Sequence, residues 1–250
     1  MSGHSKWSQI KRKKAVTDSK RGQLYTKLGH EIAVAAQQGG ADPNGNFRLE
    51  QALSRARGAN MPKDTIERAI QRGAGAGSSG EMLEELTYEA YGPGGVGLLI
   101  EVVTDNRNRS VAEVRSTLAR IGGTFAEAGS VAWQFEARGE IEVEANSPTA
   151  EDIELLAIDL GALDVEAVDG SVNIYTEPDR LERVKQALEA HAFSVRAAEL
   201  TRLPTTPVQL DEADAERVLR IVETLEELDD VVRVHTTLDI SEALVAKLAS

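Results

Sequence analysis

Lysine and arginine are concentrated at the amino terminus of this 250-residue chain. Residues 1–27 contain eight of them and a single acid, Asp18. Each Lys or Arg that contacts a phosphate releases a counterion from a nucleic acid, so a dense cationic run is the residue pattern that binds polyanions. Trp7 and Tyr25 add flat rings of the kind that stack on bases. The segment therefore predicts a nucleic-acid contact.

Two other interpretations of this segment stay open. Short basic runs also occur as solvated tails that bind nothing. Trp7 could pack on the first helix as well as it could stack on a base. A run of lysines also does not distinguish DNA from RNA, because both present the same phosphates.

A second candidate site is the stretch TDNRNRS, residues 104–110. It is predicted to join the end of a strand to the start of a helix, where the helix dipole favours anions. Arg107 and Arg109 are cations placed against that field, which indicates a bound anion. The alternative is that both arginines pair with nearby carboxylates, as surface arginines commonly do.

No catalytic residue, cofactor or metal site is predicted from the remaining residues. The chain has no cysteine, and its four histidines show no metal-ligand spacing. Two G-x-G-x-x-G matches fall in a turn and in a linker rather than between a strand and a helix, so they do not predict a nucleotide site. With no secretory signal and no apolar run of about 18 residues, we expect a cytoplasmic protein without a membrane span.

The charge of the chain is divided unequally along its length. Residues 1–73 contain 14 Lys and Arg and 6 Asp and Glu, whereas residues 74–250 contain 14 and 35. The overall net charge of -13 therefore hides a basic first part and a strongly acidic remainder. The acidic part repels polyanions and is a candidate surface for protein partners, so attraction to a nucleic acid is confined to the first part.

The elements that must position the basic residues are predicted to be three short helices. Leu24, Leu28, Ile32 and Ala36 recur at four-residue spacing, which gives the first helix one apolar face. A second helix is expected up to Gly58, and a third from about Pro62 to Gly73. These helices predict a small bundle, followed by a linker of composition GAGAGSSG.

Beyond the linker the pattern changes to strands mixed with helices. One part, residues 137–205, has the order β-α-β-β-α-β that is typical of a ferredoxin-like fold. The helix and strand after it cannot form a core alone, so we expect them to return to the unit begun at residue 81. The predicted class is α+β: a three-helix bundle followed by two ferredoxin-like α/β domains, the third inserted into the second. The predicted domains are residues 1–80, residues 81–136 with 206–250, and residues 137–205.

The chain resembles the YebC family over essentially its whole length. The motifs that carry the resemblance are, in order, GHSKW, KAVTDSKRG, NMPKDTIERAIQRGAG, TYEAYGPGGVG, TDNRNRSVAEVR and SVAWQFE. The resemblance implies the same three domains and a regulator of transcription that binds DNA. It also implies an alternative, because a mitochondrial branch acts in translation and some bacterial members are proposed to relieve ribosome stalling.

The predicted function is therefore a non-enzymatic, cytoplasmic regulator that binds nucleic acid, with duplex DNA favoured. The alternative is a ribosome-associated translation factor that binds ribosomal RNA, and an enzyme using the Arg107 and Arg109 anion site is a third hypothesis. The family resemblance and the cations together give the predicted contact residues: Lys6, Trp7, Lys11, Arg12, Lys13, Lys14, Lys20, Arg21, Lys27, Lys63, Arg68 and Arg72.

Overall fold

The computed structural model describes residues 18–75, 82–145, 147–168, 170–241 and 244. The first part is the predicted bundle, made of the helices α1 Asp18–Gly39, α2 Phe47–Gly58 and α3 Lys63–Gly73. Its core is formed by apolar side chains from all three helices, including Ile32, Leu49 and Ile66. Helical spacing of these residues in the sequence is what turns them to a common interior.

Asn46 fixes the turn between α1 and α2. Its side-chain oxygen accepts a hydrogen bond from the backbone N–H of Leu49 at 3.1 Å, which caps the start of α2. Its amide nitrogen donates to the carbonyls of Ala35 at 2.7 Å and Gly40 at 2.8 Å. One buried side chain therefore joins the end of α1 to the beginning of α2.

The middle part is a four-stranded antiparallel sheet with two helices. Its elements are β1 Glu84–Tyr91, β2 Gly97–Thr104, α4 Arg107–Ile121, β3 Thr124–Ala126, α7 Glu212–Glu226 and β9 Val231–Thr236. The strands lie in the order β3-β1-β2-β9, and a core of Leu, Val and Ile from the strands and both helices fills the space between them.

The third part is a second sheet with its own core. Its elements are β4 Phe135–Glu144, α5 Ser147–Asp159, β5 Asp164–Val168, β6 Ser171–Thr176, α6 Leu181–Ala190 and β7 Val195–Pro204. The strands lie in the order β5-β6-β4-β7, which is the ferredoxin-like order, and Ile141, Ile153 and Leu181 are fully buried between sheet and helices. Two short strands, β8 Val208–Gln209 and β10 Leu238–Asp239, pair in parallel with each other.

The predicted α+β class is confirmed, but the two sheets are connected differently. In the ferredoxin-like order a helix follows the first strand, as it does in the third part, whereas β1 and β2 of the middle part form a hairpin at the centre of their sheet. The reason is the Gly92–Gly95 turn, where Gly94 and Gly95 have φ of 66° and 77°. A side chain strongly disfavours such angles, so the glycines permit the tight reversal. The domain boundaries at residues 80, 136 and 205 remain a prediction.

Candidate nucleic-acid interface

The structure describes some of the predicted contact residues fully, one by its backbone alone and others not at all. Arg21 lies exposed on the first turns of α1, and for Lys20 only the helical backbone is described. Six members precede the described part of the chain, so their contacts stay a prediction; they are Lys6, Trp7, Lys11, Arg12, Lys13 and Lys14.

Three predicted cations lie exposed on α3. The Lys63 side chain is 87% exposed, with Glu67 at 3.7 Å. Arg68 donates from Nε to the Asp64 carbonyl and from Nη2 to the Thr65 hydroxyl, each at 3.2 Å, so its guanidinium is held along the helix. Arg72 follows one turn later and is also exposed. With Ile66 and Ala69 buried on the opposite side, α3 presents these cations to solvent.

The position of α3 depends on a close approach to α1. A Cβ added at Gly73 would lie 2.0 Å from the Ala33 carbonyl oxygen, a distance no side chain can adopt. Glycine therefore lets the C-terminal end of α3 touch the backbone of α1. Pro62 precedes the first residue of α3, where its fixed φ and missing N–H suit a helix start, and its carbonyl accepts from the amides of Thr65 and Ile66.

The charge of Arg72 reaches the first helix. Burial, and secondarily the positive charge of Arg72, lower the pKa of the His30 imidazole on α1. A lowered pKa keeps His30 neutral at neutral pH, so this ring adds no positive charge to the face. In the described part of the bundle, the positive charges near Arg72 are therefore those of lysine and arginine side chains.

Lys27 contacts the middle part of the molecule and does not lie among the exposed cations of α3. Its ammonium donates to the Glu226 carbonyl at the C-terminal end of α7, and Gln23 donates to the neighbouring Glu227 carbonyl at 3.2 Å. Burial lowers the pKa of Lys27 to about 8, against the opposing effect of nearby carboxylates, the largest being that of Asp229. Carbonyls at a helix C-terminus attract cations, so Lys27 attaches the bundle to the middle sheet.

Arg109 pairs with carboxylates, the alternative to an anion site. Its Nη2 lies 2.9 Å from Asp105 and 3.0 Å from Asp230, and the Asp230 carboxylate also accepts from the Thr104 hydroxyl. The Arg109 amide donates to the Asn106 side chain, which caps α4. These partners occupy groups that an anion would need. Arg107 is exposed, and its backbone carbonyl accepts a weak 3.5 Å hydrogen bond from the Tyr88 hydroxyl.

Ion pairs that the sequence does not predict join the three parts of the molecule. The Glu199 carboxylate of β7 is shared between Arg55 of α2, at 3.5 Å, and Arg233 of β9, at 2.6 Å. Arg55 also pairs with Glu31. Since the partners of Glu199 are separated from it by 144 and 34 residues, no spacing in the sequence indicates the contact.

A cleft of about 440 Å³ lies beside these pairs, where the three parts meet. Its lining carries arginines and glutamates together, including Arg48, which is paired with Glu85. Its arginines are held in pairs between parts of the molecule, whereas Lys63, Arg68 and Arg72 of α3 lie exposed. The cleft is thus lined by the ion pairs that fasten the bundle to the two sheets.

Metal sites and membrane spans can be examined within the described ranges. No group of three or more His, Cys, Asp or Glu side chains that could hold a metal ion occurs in the part of the chain that the structure describes. Over those same ranges, no helix is long and apolar enough to cross a membrane.

The molecule is thus a three-part α+β protein with a cationic helix on its first part and acidic sheets behind it. Two family models match it: the TACO1/YebC protein N-terminal domain over residues 5–76, and the TACO1/YebC second and third domain over residues 83–238. Together they cover most of the chain. The chain belongs to the TACO1/YebC family.

Curated relatives match along nearly their full length. A "Probable transcriptional regulatory protein" of Thermomicrobium roseum is 48% identical, covering 94% of this chain and 95% of the relative. One of the same name from Pelotomaculum thermopropionicum is 48% identical, covering 97% of this chain and 100% of the relative. Among solved structures, the conserved hypothetical protein Aq1575 from Aquifex aeolicus is 42% identical with a TM-score of 0.82, covering 90% of this chain and 93% of that one.

Proposed function

We propose that this protein is a non-enzymatic regulator of transcription that binds duplex DNA through its first domain. The observation that carries the proposal is the exposed surface of α3, where the three cations Lys63, Arg68 and Arg72 outnumber the two acids Asp64 and Glu67. It lies in the same domain as the basic amino-terminal segment. The names of the curated relatives, which describe transcriptional regulatory proteins, support the same class of function.

The unequal distribution of charge supports attachment by one end. Residues 74–250 contain 35 acids and 14 Lys and Arg, so their sheets are repelled by a phosphate backbone. The bundle is fastened to these sheets through Lys27 and through the Arg55–Glu199 contact. We infer that the acidic domains are held away from the duplex while the first domain grips it. The same proposal puts the protein in the cytoplasm, where bacterial DNA is.

The salt dependence of binding tests this proposal. Residues 1–17 contain five Lys and Arg and no acid. If these five and the three cations of α3 each contact a duplex phosphate, log K should fall against log salt concentration with a slope of about -7. Deleting residues 1–17, which leaves α1 intact, should change the slope to about -3. A slope that the deletion does not change would contradict the role of the segment.

Ribosome binding is the outcome that would reassign the function. Cosedimentation with 70S ribosomes should be compared with duplex binding in the same buffer at physiological salt. Stronger retention by duplex DNA supports the proposal. Retention by ribosomes with negligible duplex binding would instead assign the cations to ribosomal RNA, since either polyanion satisfies them.

A further inference from the structure

Apolar side chains are exposed on the outer face of α5, in the third part of the molecule. Leu155 and Ile158 are 59% and 61% exposed, and Leu163, just beyond the helix, is 49% exposed. These are three of the eight large exposed apolar side chains in the described ranges, gathered within nine residues. Ile153 and Ala157 of the same helix are fully buried, so α5 is apolar on both sides. Such clusters mark interaction surfaces.

Acidic side chains surround Leu155 and Ile158 on the helix. Glu151 lies four residues before Leu155, Asp159 lies four residues after it, and Glu154 lies four residues before Ile158. Residues three or four apart are neighbours on a helix surface, so these carboxylates form a rim around the apolar pair. We call Glu151, Glu154, Leu155, Ile158 and Asp159 together the α5 face.

The α5 face is negative over most of its length. Residues 151–164 contain five acids and no Lys or Arg. Just beyond the C-terminal end of α5 the Arg180 guanidinium lies against Gly161, where it would be 2.5 Å from an added Cβ. Along Glu151–Asp159 the helix itself supplies no compensating positive charge.

This combination of charges excludes several occupants. A nucleic acid or an anionic lipid surface would be repelled by the rim. Two copies of the chain meeting through this face would bring both sets of carboxylates together, which is also repulsive. A positively charged polypeptide with apolar side chains satisfies both the rim and the centre.

We propose that the α5 face binds a basic segment of a partner protein. Apolar side chains of that segment cover Leu155 and Ile158, and its Lys and Arg side chains pair with the rim. The inference is independent of the proposed DNA binding, because it uses a different part of the molecule and a different chemistry. It makes the third domain the place where a protein partner attaches.

Peptide binding to the full chain tests the chemistry of the site. The probe is a fluorescent synthetic helix of Lys and Leu with Leu at i, i+3, i+4 and i+7, and the control peptide has Ser in place of each Leu. The double substitution Leu155→Ser with Ile158→Ser should weaken binding of the Leu peptide by about ten- to a hundredfold, since burial of two large side chains is lost. Met82→Ser, which removes another exposed side chain, should leave the affinity unchanged.

The rim is tested by a second variant that keeps the apolar centre. Glu151→Gln, Glu154→Gln and Asp159→Asn together should weaken the Leu peptide and flatten its salt dependence, because exposed charge pairs are screened by salt. Circular dichroism should show unchanged helix content in both variants, as all five side chains lie at the surface. Equal affinity of the Leu and Ser peptides, or wild-type affinity in the Leu155 and Ile158 variant, would overturn the proposal.

Photo-crosslinking identifies the occupant in cells. A benzoylphenylalanine placed at Leu155 should crosslink to a protein, and the adduct mapped by mass spectrometry should lie in a segment with net positive charge and interspersed apolar residues. A benzoylphenylalanine at Met82 is the control. Crosslinks to nucleic acid, to residues 1–17 of the same chain or to α5 of a second copy would each overturn the inference, as would a yield no higher than at Met82.

Discussion

The helices α3 and α5 are both surface helices with one buried face, yet their outer faces have opposite chemistry. On α3 the exposed side is polar and carries a net positive charge, with Lys63, Arg68 and Arg72 against Asp64 and Glu67. On α5 it is apolar at the centre, with Leu155 and Ile158, and acidic around it. A polyanion fits the first face and is repelled by the second. If both proposals hold, the molecule separates contact with nucleic acid from contact with protein.

The largest expected effect comes from a substitution that displaces α3 while leaving α5 unchanged. Gly73→Ala places a methyl group against the Ala33 carbonyl, which requires α3 to move away from α1. Overpacking of this kind destabilises by about 1–3 kcal/mol. We expect a lower melting temperature and weaker duplex binding, measured by calorimetry and fluorescence anisotropy.

Gly58→Ala is the matched control, because nothing lies within 4 Å of an added Cβ at the end of α2. It should leave both measurements near wild type. The Gly73→Ala variant should still bind the basic Lys–Leu peptide through α5. Loss of stability in the Gly58 variant but not in the Gly73 variant would contradict the close approach of α3 to α1.

The next effect concerns the ion pairs that hold the two faces in one molecule. Glu199→Gln removes a carboxylate shared by Arg55 and Arg233, and leaves the largely buried Arg233 without its closest partner. Because the pair is partly solvated, we expect a loss of about 2 kcal/mol, below the value for a fully buried pair. Thermal unfolding measures it.

Glu177→Gln is the control for that loss. Glu177 is 47% exposed and lies 3.5 Å from Arg138, so its removal should change stability by less than about 0.5 kcal/mol. Equal melting temperatures for the two variants would show that Glu199 does not join the domains in the way the distances indicate.

A smaller effect is expected in the pH dependence of stability, to which the partly buried Lys27 contributes. Since the pKa of Lys27 is lowered to about 8 in the folded protein, the unfolded chain binds more protons above that pH, and stability should rise with pH between about 8 and 10.5. Lys27→Met should remove this rise. Melting temperatures of both proteins across that range measure it, and a wild-type curve that falls relative to Lys27→Met would contradict the burial of Lys27.

Sequence reasoning predicted the local features of the bundle and missed its long-range ones. The start of α3 after Pro62 and its end at Gly73 follow from the geometry of proline and from the apolar spacing. The contact of Gly73 with Ala33 and the pairing of Arg109 with Asp230 depend on residues far apart in the chain. Lys27 looked like the other cations because its burial is decided by α7, nearly two hundred residues later.

The difference between local and long-range features also explains which sheet could be predicted. The order of elements predicted the third part because β4 to β7 and their two helices follow one another in a single segment with the β-α-β-β-α-β order. In the middle part, the turn at Gly92–Gly95 is visible in the sequence, but the position of β3 at the sheet edge beside β1 depends on a pairing between distant strands. The apolar centre of the α5 face was also missed, since Leu155 and Ile158 in sequence resemble core residues.

The salt dependence of duplex binding by an α3 variant tests the central claim most directly. Lys63→Gln, Arg68→Gln and Arg72→Gln together should reduce the magnitude of the slope of log K against log salt by about 2.7, which corresponds to three lost phosphate contacts. Arg217→Gln, an exposed arginine of α7 paired with Asp214, should leave the slope unchanged. A slope that stays at the wild-type value in the triple variant would contradict the claim that α3 contacts the nucleic acid.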